Sequence, residues 1–175
     1  PAGCSVTATQ IYTTTKQVAE KRGVVNNTVY IGTDMNERDT IFGSADKLHD
    51  IILEVNRRYQ PKAIFVSSSC ASGIIGEDID SVVEEVKEEI DVPVVATHCE
   101  GFKSRIWATG FDISDHAVLS GIVKPPKKKR NTINFKNFYE SAREEIIEIF
   151  KNFDLDPIFL YANATVEELE HMSES

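Results

Sequence analysis

The sequence predicts an α/β fold, a parallel sheet flanked by helices in Rossmann-like fashion, with the start of a second similar domain. Two observations predict it. Apolar runs rich in β-branched residues alternate with amphipathic runs, and the amphipathic runs carry their apolar residues at helical spacing. Strands are expected at Thr28 to Ile31, Ala63 to Val66, Val92 to Ala96, Thr132 to Phe135 and Pro157 to Tyr161. Between the second and the runs beside it, Leu48, Ile51, Ile52, Val55 and Tyr59 fall on one helical face, and Ile79, Val82, Val83, Val86 and Ile90 repeat the pattern. Ala142, Ile146, Ile149, Phe150 and Phe153 come close to it. Ser141 with Glu144 and Thr165 with Glu168 fit capping boxes, in which each side chain satisfies a backbone N–H of the other residue.

The basic, proline-containing run Lys124 to Arg130 separates these units. We expect a first domain over residues 1–123, a linker over 124–131 and the beginning of a second domain over 132–175. No fixed-period repeat is visible. The chain opens at Pro1-Ala2-Gly3-Cys4 without a methionine and already inside an expected tight turn, so it reads as a piece of a longer protein.

With 175 residues, 41% of them hydrophobic, the chain can bury a core. A net charge of -9 argues against a general nucleic-acid surface, which needs excess Lys and Arg to displace counterions from phosphates. The four charges of Lys127 to Arg130, beside two prolines, read as a solvated linker. No apolar run is long enough for a membrane span, no signal-peptide layout is present, and the expected location is the cytoplasm.

Three cysteines, at 4, 70 and 99, are too few and too odd for a disulfide framework. Cys70 follows one expected strand across Ser67-Ser68-Ser69, and Cys99 follows another across Thr97-His98. In a parallel sheet both then lie beyond the carboxyl ends of strands, where open α/β folds bind ligands. Free Cys is also a common small buried hydrophobe, so each alone has a packing explanation. Thiolates bind iron well, and cluster proteins gather cysteines at one edge, although these spacings match neither compact ferredoxin pattern. Ser67 to Ser69 offer hydroxyl and backbone donors that tune a cluster sulfur. Gly73 and Gly76 match no phosphate-binding fingerprint. Glu77 and Asp78 sit where a helix begins and read as capping groups. The four histidines form no metal pattern; His98, beside Cys99, is the one nearest the expected ligand edge.

Four segments, Gly3-Cys4-Ser5, Asp34 to Glu37 leading to Phe42-Gly43, Cys70 through Gly76-Glu77-Asp78-Ile79, and Cys99-Glu100-Gly101-Phe102, together resemble the nitrogenase component 1 alpha-chain family. The resemblance runs through most of Pro1 to Val123. It implies that Cys4 and Cys70 are ligands of an iron-sulfur cluster, of the P-cluster type or its four-iron counterpart, with a third ligand upstream and the rest on a homologous beta-type subunit. It also implies a heterotetramer, an ATP-dependent iron-protein reductase as electron donor, and a chain that holds little metal by itself. Cys99, Ser69 and Glu100 are then residues around the cluster rather than primary ligands. A second metal cofactor or a tetrapyrrole is compatible with the family, and its ligands would lie beyond Ser175.

In the dinitrogen-reducing members a Gln and a His stand eight and twelve positions after the Cys-Glu-Gly-Phe cysteine; here they are Trp107 and Phe111. Neither titrates near neutral pH, so dinitrogen reduction in the standard way is not expected. Two functions fit. One is an alpha-type subunit of a nitrogenase-like oxidoreductase. The other is a scaffold subunit for assembly of the nitrogenase metal cofactor, with no external substrate.

Overall fold

The computed structural model describes residues 2–21, 23, 25–106, 108–136, 142–160 and 164–175, with side chains described from residue 8 onward. The chain divides into two compact units, one of Pro1–Tyr12 with Val29–Gly121, the other of Thr13–Thr28 with Ile122–Ser175. A helix α1, Ala2–Lys21, contributes residues to both.

The first unit continues with α2 (Glu37–Phe42), α3 (Ala45–Tyr59), β1 (Ile64–Ser67), α4 (Cys70–Ile75), α5 (Ile79–Lys87), β2 (Val94–Thr97) and α6 (Thr109–Gly121). The strands β1 and β2 pair in parallel, from Ile64 opposite Val94 to Ser67 opposite Thr97. The expected helical faces form the core: Leu48 and Ile52 of α3 and Ile79, Val82, Val83 and Val86 of α5 pack on Ile64, Val66 and Val94. Each such side chain contributes about 1.5–3 kcal/mol on burial. Tyr59 stays exposed, because the helical face turns away from the core at its end. Ile90 lies beyond α5 yet packs, partly buried, against this core.

On β1 only Ile64 and Val66 are buried, whereas β2 buries Val94, Val95 and Thr97. The second face of β2 is covered by α6, whose Gly121 approaches so closely that a Cβ there would stand 2.3 Å from Val95 Cγ2 and 2.9 Å from its Cγ1. Gly121→Ala is therefore expected to destabilise the chain by about 1–3 kcal/mol from overpacking, despite the better helix propensity of alanine. A urea unfolding midpoint equal to or above that of the parent would contradict this packing.

Three expectations need correction here. Thr28 to Ile31 joins no ladder among the described residues, and Val29, Tyr30 and Ile31 are exposed. Its β-branched and aromatic content gives it the propensity of a strand, but a strand exists only where a neighbour pairs with it. Gly3 and Cys4 lie inside α1 and not in a tight turn. That helix is built from good formers such as Ala8, Gln10, Lys16, Gln17, Ala19 and Glu20, without the apolar stripe that announces a helix. The third concerns Ser141 and Glu144. Ser141 lies outside the described residues, and the N-cap of the helix that follows is Ala142, in the left-handed region at φ 59, with no side-chain cap.

In the second unit β3 (Thr132–Phe135) pairs in parallel with β4 (Asp156–Phe159) across α7 (Arg143–Lys151), and α8 (Val166–Glu170) follows. The expected strand end at Tyr161 lies outside the described residues. Phe135 meets Phe150 and Phe159 edge-on, with ring centroids 5.7 and 5.6 Å apart. Thr165 and Glu168 form the expected capping box: Thr165 N–H donates to Glu168 Oε2 at 2.8 Å and Glu168 N–H to Thr165 Oγ1 at 3.2 Å.

The basic run is irregular and mostly exposed, yet it is tied down. Lys124 N–H donates to the Glu170 carbonyl, Lys124 Nζ lies 2.6 Å from Glu170 Oε1, and Arg130 N–H donates to the Glu174 carbonyl. Glu174 is buried, with Arg130 and His171 against its carboxylate. Burial pushes this carboxyl up, but the Lys127 backbone N–H and the Arg130 guanidinium outweigh it and hold the group below its ordinary range. No helix among the described residues is long and apolar enough to cross a membrane.

Candidate functional site

Because β1 and β2 run in parallel, both chains leave the sheet at the same edge, β1 into Ser68-Ser69-Cys70 and β2 into His98-Cys99-Glu100. Hydroxyls join the two exits. Thr97 Oγ1 donates to the Val66 carbonyl at 3.1 Å, and Ser67 Oγ shares a 2.7 Å hydrogen bond with Thr97 Oγ1. Ser68 N–H extends the ladder to the Thr97 carbonyl, and its buried Oγ accepts from Cys99 N–H at 2.9 Å. The Cys99 backbone is thus fixed, while its side chain is exposed.

Ser69 caps α4. Its Oγ accepts from Ser72 N–H at 3.3 Å, and its own N–H donates to Ser72 Oγ at 2.8 Å. Cys70, the first residue of α4, is half-buried, and its Sγ lies 3.9 Å from where a Cβ on Gly101 would stand. Glu100 is buried. Its Oε1 accepts from Lys103 Nζ at 3.0 Å and lies 3.6 Å from His98 Nδ1, while Oε2 is buried with no hydrogen-bond partner. Burial would raise this carboxyl, but the Lys103 ammonium, together with the Glu100 backbone N–H and the Ser68 hydroxyl, outweighs it and keeps the group below its ordinary value. His98 is itself braced by Asp80, whose Oδ2 stands 2.8 Å from Nε2.

Of the residues singled out in the sequence, Ser69, Cys70, Cys99 and Glu100 therefore meet at one strand edge. Cys4 lies in α1, its side chain outside the described ones, and Trp107 lies outside the described residues altogether. Phe111 sits on α6, half-buried. The capping expectation holds for Asp78, whose Oδ1 accepts from Ser81 N–H at 3.1 Å. Hydrogen bonds from the Ser81 hydroxyl and N–H hold this carboxyl below the usual range. Glu77 caps a different helix: its carboxylate accepts from the N–H and hydroxyl of Ser44, just before α3. His49 pairs instead with Glu89, 2.7 Å away, and that hydrogen bond raises its pKa.

Gly73, Asp80 and Lys103 were not assigned to the site, whereas Ser68 lay in the Ser67 to Ser69 run expected there. Lys103 carried a signal, an opposite charge three residues after Glu100; Gly73 and Asp80 act across the fold and carried none. Among the described residues no group of three or more His, Cys, Asp or Glu stands together as a metal site.

Parallel strands that deliver a Ser-Ser-Cys turn and a Cys-Glu-Gly turn to one edge define an α/β protein with two thiols at the carboxyl edge of its sheet. The chain belongs to the nitrogenase component 1 type oxidoreductase family, whose sequence model matches residues 1–175. It is 36% identical over 119 residues to the nitrogenase molybdenum-iron protein alpha chain of Clostridium pasteurianum, covering 67% of this chain and 22% of that one. It is 37% identical over 105 residues to the nitrogenase iron-molybdenum cofactor biosynthesis protein NifE of Methanococcus maripaludis, covering 58% of this chain and 22% of that one. Among solved structures, nitrogenase Cp1 at pH 6.5 superposes with a TM-score of 0.77 at 30% identity, over 87% of this chain and 30% of that chain. The chain spans about a quarter of the length of the curated relatives it matches, 25% and 22% for two of them.

Proposed function

We propose that this chain is part of an alpha-type subunit of a nitrogenase-like oxidoreductase that accepts electrons from an ATP-dependent reductase through an iron-sulfur cluster shared with a homologous beta-type subunit. When bound, such a cluster supplies one-electron transfer. Cys4 and Cys70 act as two of its thiolates. Ser69 fixes the helix that starts at Cys70, Ser68 fixes the turn that carries Cys99, and Glu100 fills the space behind both. A heterotetramer in the cytoplasm is the corresponding assembly.

The observation that carries this reading is the half-buried Cys70 thiol at the carboxyl edge of a parallel sheet, opposite the backbone of the Cys99-Glu100-Gly101 turn. A soft donor held there suits iron, and the incomplete donor set among the described residues suits a cluster completed by another chain. The test is iron and acid-labile sulfide in the whole protein, purified anaerobically with its neighbouring subunit. We expect at least one four-iron cluster per pair of chains; metal-free protein under these conditions would overturn the proposal.

A second reading is a scaffold on which the nitrogenase metal cofactor is assembled. It is favoured by Trp107 and Phe111 and by the likeness to NifE, which reaches 46% identity over 70 residues for the Nostoc protein. Catalytic reduction of an external small molecule by the purified complex would eliminate it.

A further inference from the structure

We propose that Glu100 is a positioning residue for Cys70, closing a reciprocal latch with Gly73 and Gly101 that fixes where the Cys70 sulfur stands. The proposal rests on Cys70 being a cluster thiolate only for its purpose, not for its geometry.

Cys70 and Gly73 are three residues apart on α4 and so lie on one helical face. The Glu100-Gly101 turn crosses that face with the pairing reversed. Gly73 faces the Glu100 side chain, and Gly101 faces the Cys70 sulfur. At Gly73 there is no spare room: a Cβ would stand 2.4 Å from Glu100 Cγ, 3.2 Å from Cδ and 3.1 Å from Oε1. At Gly101 the 3.9 Å approach to Cys70 Sγ is ordinary van der Waals contact.

The Glu100 side chain is 3% exposed, a costly place for a carboxylate with one oxygen unpartnered. A residue serving only to fill the space would be apolar. The carboxylate adds direction, because Lys103 Nζ donates to Oε1 at 3.0 Å, while His98, tied to Asp80 at 2.8 Å, stands beside it with Nδ1 3.6 Å away. The anchored side chain presses the turn onto α4, and the backbone of Gly101 then limits the directions open to the Cys70 thiol. Cys99 is exposed, and only the Cys70 sulfur lies against Gly101, so the latch acts on one thiol and not on both.

The test is alkylation of the two thiols by iodoacetamide in the full chain purified without metal, with each peptide quantified by mass spectrometry over time. Glu100→Ala and Gly73→Ala are expected to raise the Cys70 rate about tenfold, as the half-buried thiol gains access to more open conformations. The Cys99 rate is expected to stay within about twofold, since its backbone anchor is separate. Glu100→Gln keeps the shape and is expected to restore slow Cys70 alkylation; Gly101→Ala should leave both rates unchanged.

Lys103→Met removes the anchor from a half-exposed surface position and is expected to raise the Cys70 rate selectively. An unchanged Cys70 rate in folded Lys103→Met and Glu100→Ala proteins, or an equal rise for Cys70 and Cys99, would overturn the latch. Because no metal takes part, this outcome is independent of whether the whole protein carries iron.

Discussion

Ile79→Ala is expected to lower the stability of the chain by about 2–5 kcal/mol, the range for removing a large aliphatic side chain from a packed core. Ile79 is 3% exposed and is the first residue of α5, directly after the Asp78 cap, where it packs with α3 and the sheet. Its removal leaves a cavity that the capped helix end cannot readily collapse to fill. Ile74, four residues from Asp78 on α4, provides the control. It is 74% exposed, and Ile74→Ala is expected to change stability by no more than about 0.5 kcal/mol. Urea unfolding of the two variants decides the matter, and a loss below about 1 kcal/mol at Ile79 would show that this core is loosely packed.

Cys70→Ala and Cys4→Ala are expected to remove most of the iron and acid-labile sulfide from the complex, because a lost thiolate leaves an iron without its preferred donor. Cys99→Ala tests the distinction between a ligand and a neighbour. A residue that only supports the ligands costs about 10–100-fold in metal affinity, so iron should persist in protein purified at high concentration. Full iron content in Cys70→Ala would contradict the assignment directly, and complete loss in Cys99→Ala would move Cys99 among the ligands.

The sequence made legible what depends on periodicity and on counting from strand ends. The faces Leu48 to Val55 and Ile79 to Val86 announced α3 and α5, and β1, β2, β3 and β4 fell within a residue or two of the β-branched runs. Cys70, Cys99 and their neighbours then had to emerge at one edge, since parallel strands give no alternative. What could not be read depends on partners far along the chain. Gly73 looks like a weak point in a short helix until Glu100 is seen against it. Thr28 to Ile31 has the composition of a strand and lacks a neighbour, and α1 has helix-forming residues without a face. Glu77 was read as a cap correctly in kind, but the helix it caps is α3, whose N-cap Ser44 lies 33 residues earlier.

The parallel pairing also constrains the order in which the chain can acquire its structure. Ser67 and Thr97, joined at the end of the ladder, are 30 residues apart, so the strands meet only after a long loop has closed. Local helices such as α3 and α5 need no such closure and can form before it. The thiol edge has no local route: Cys70 and the turn carrying Cys99 come together only when β1 and β2 do. A nascent chain therefore presents these cysteines separately, as ordinary thiols open to oxidants and stray metal, until the sheet has closed.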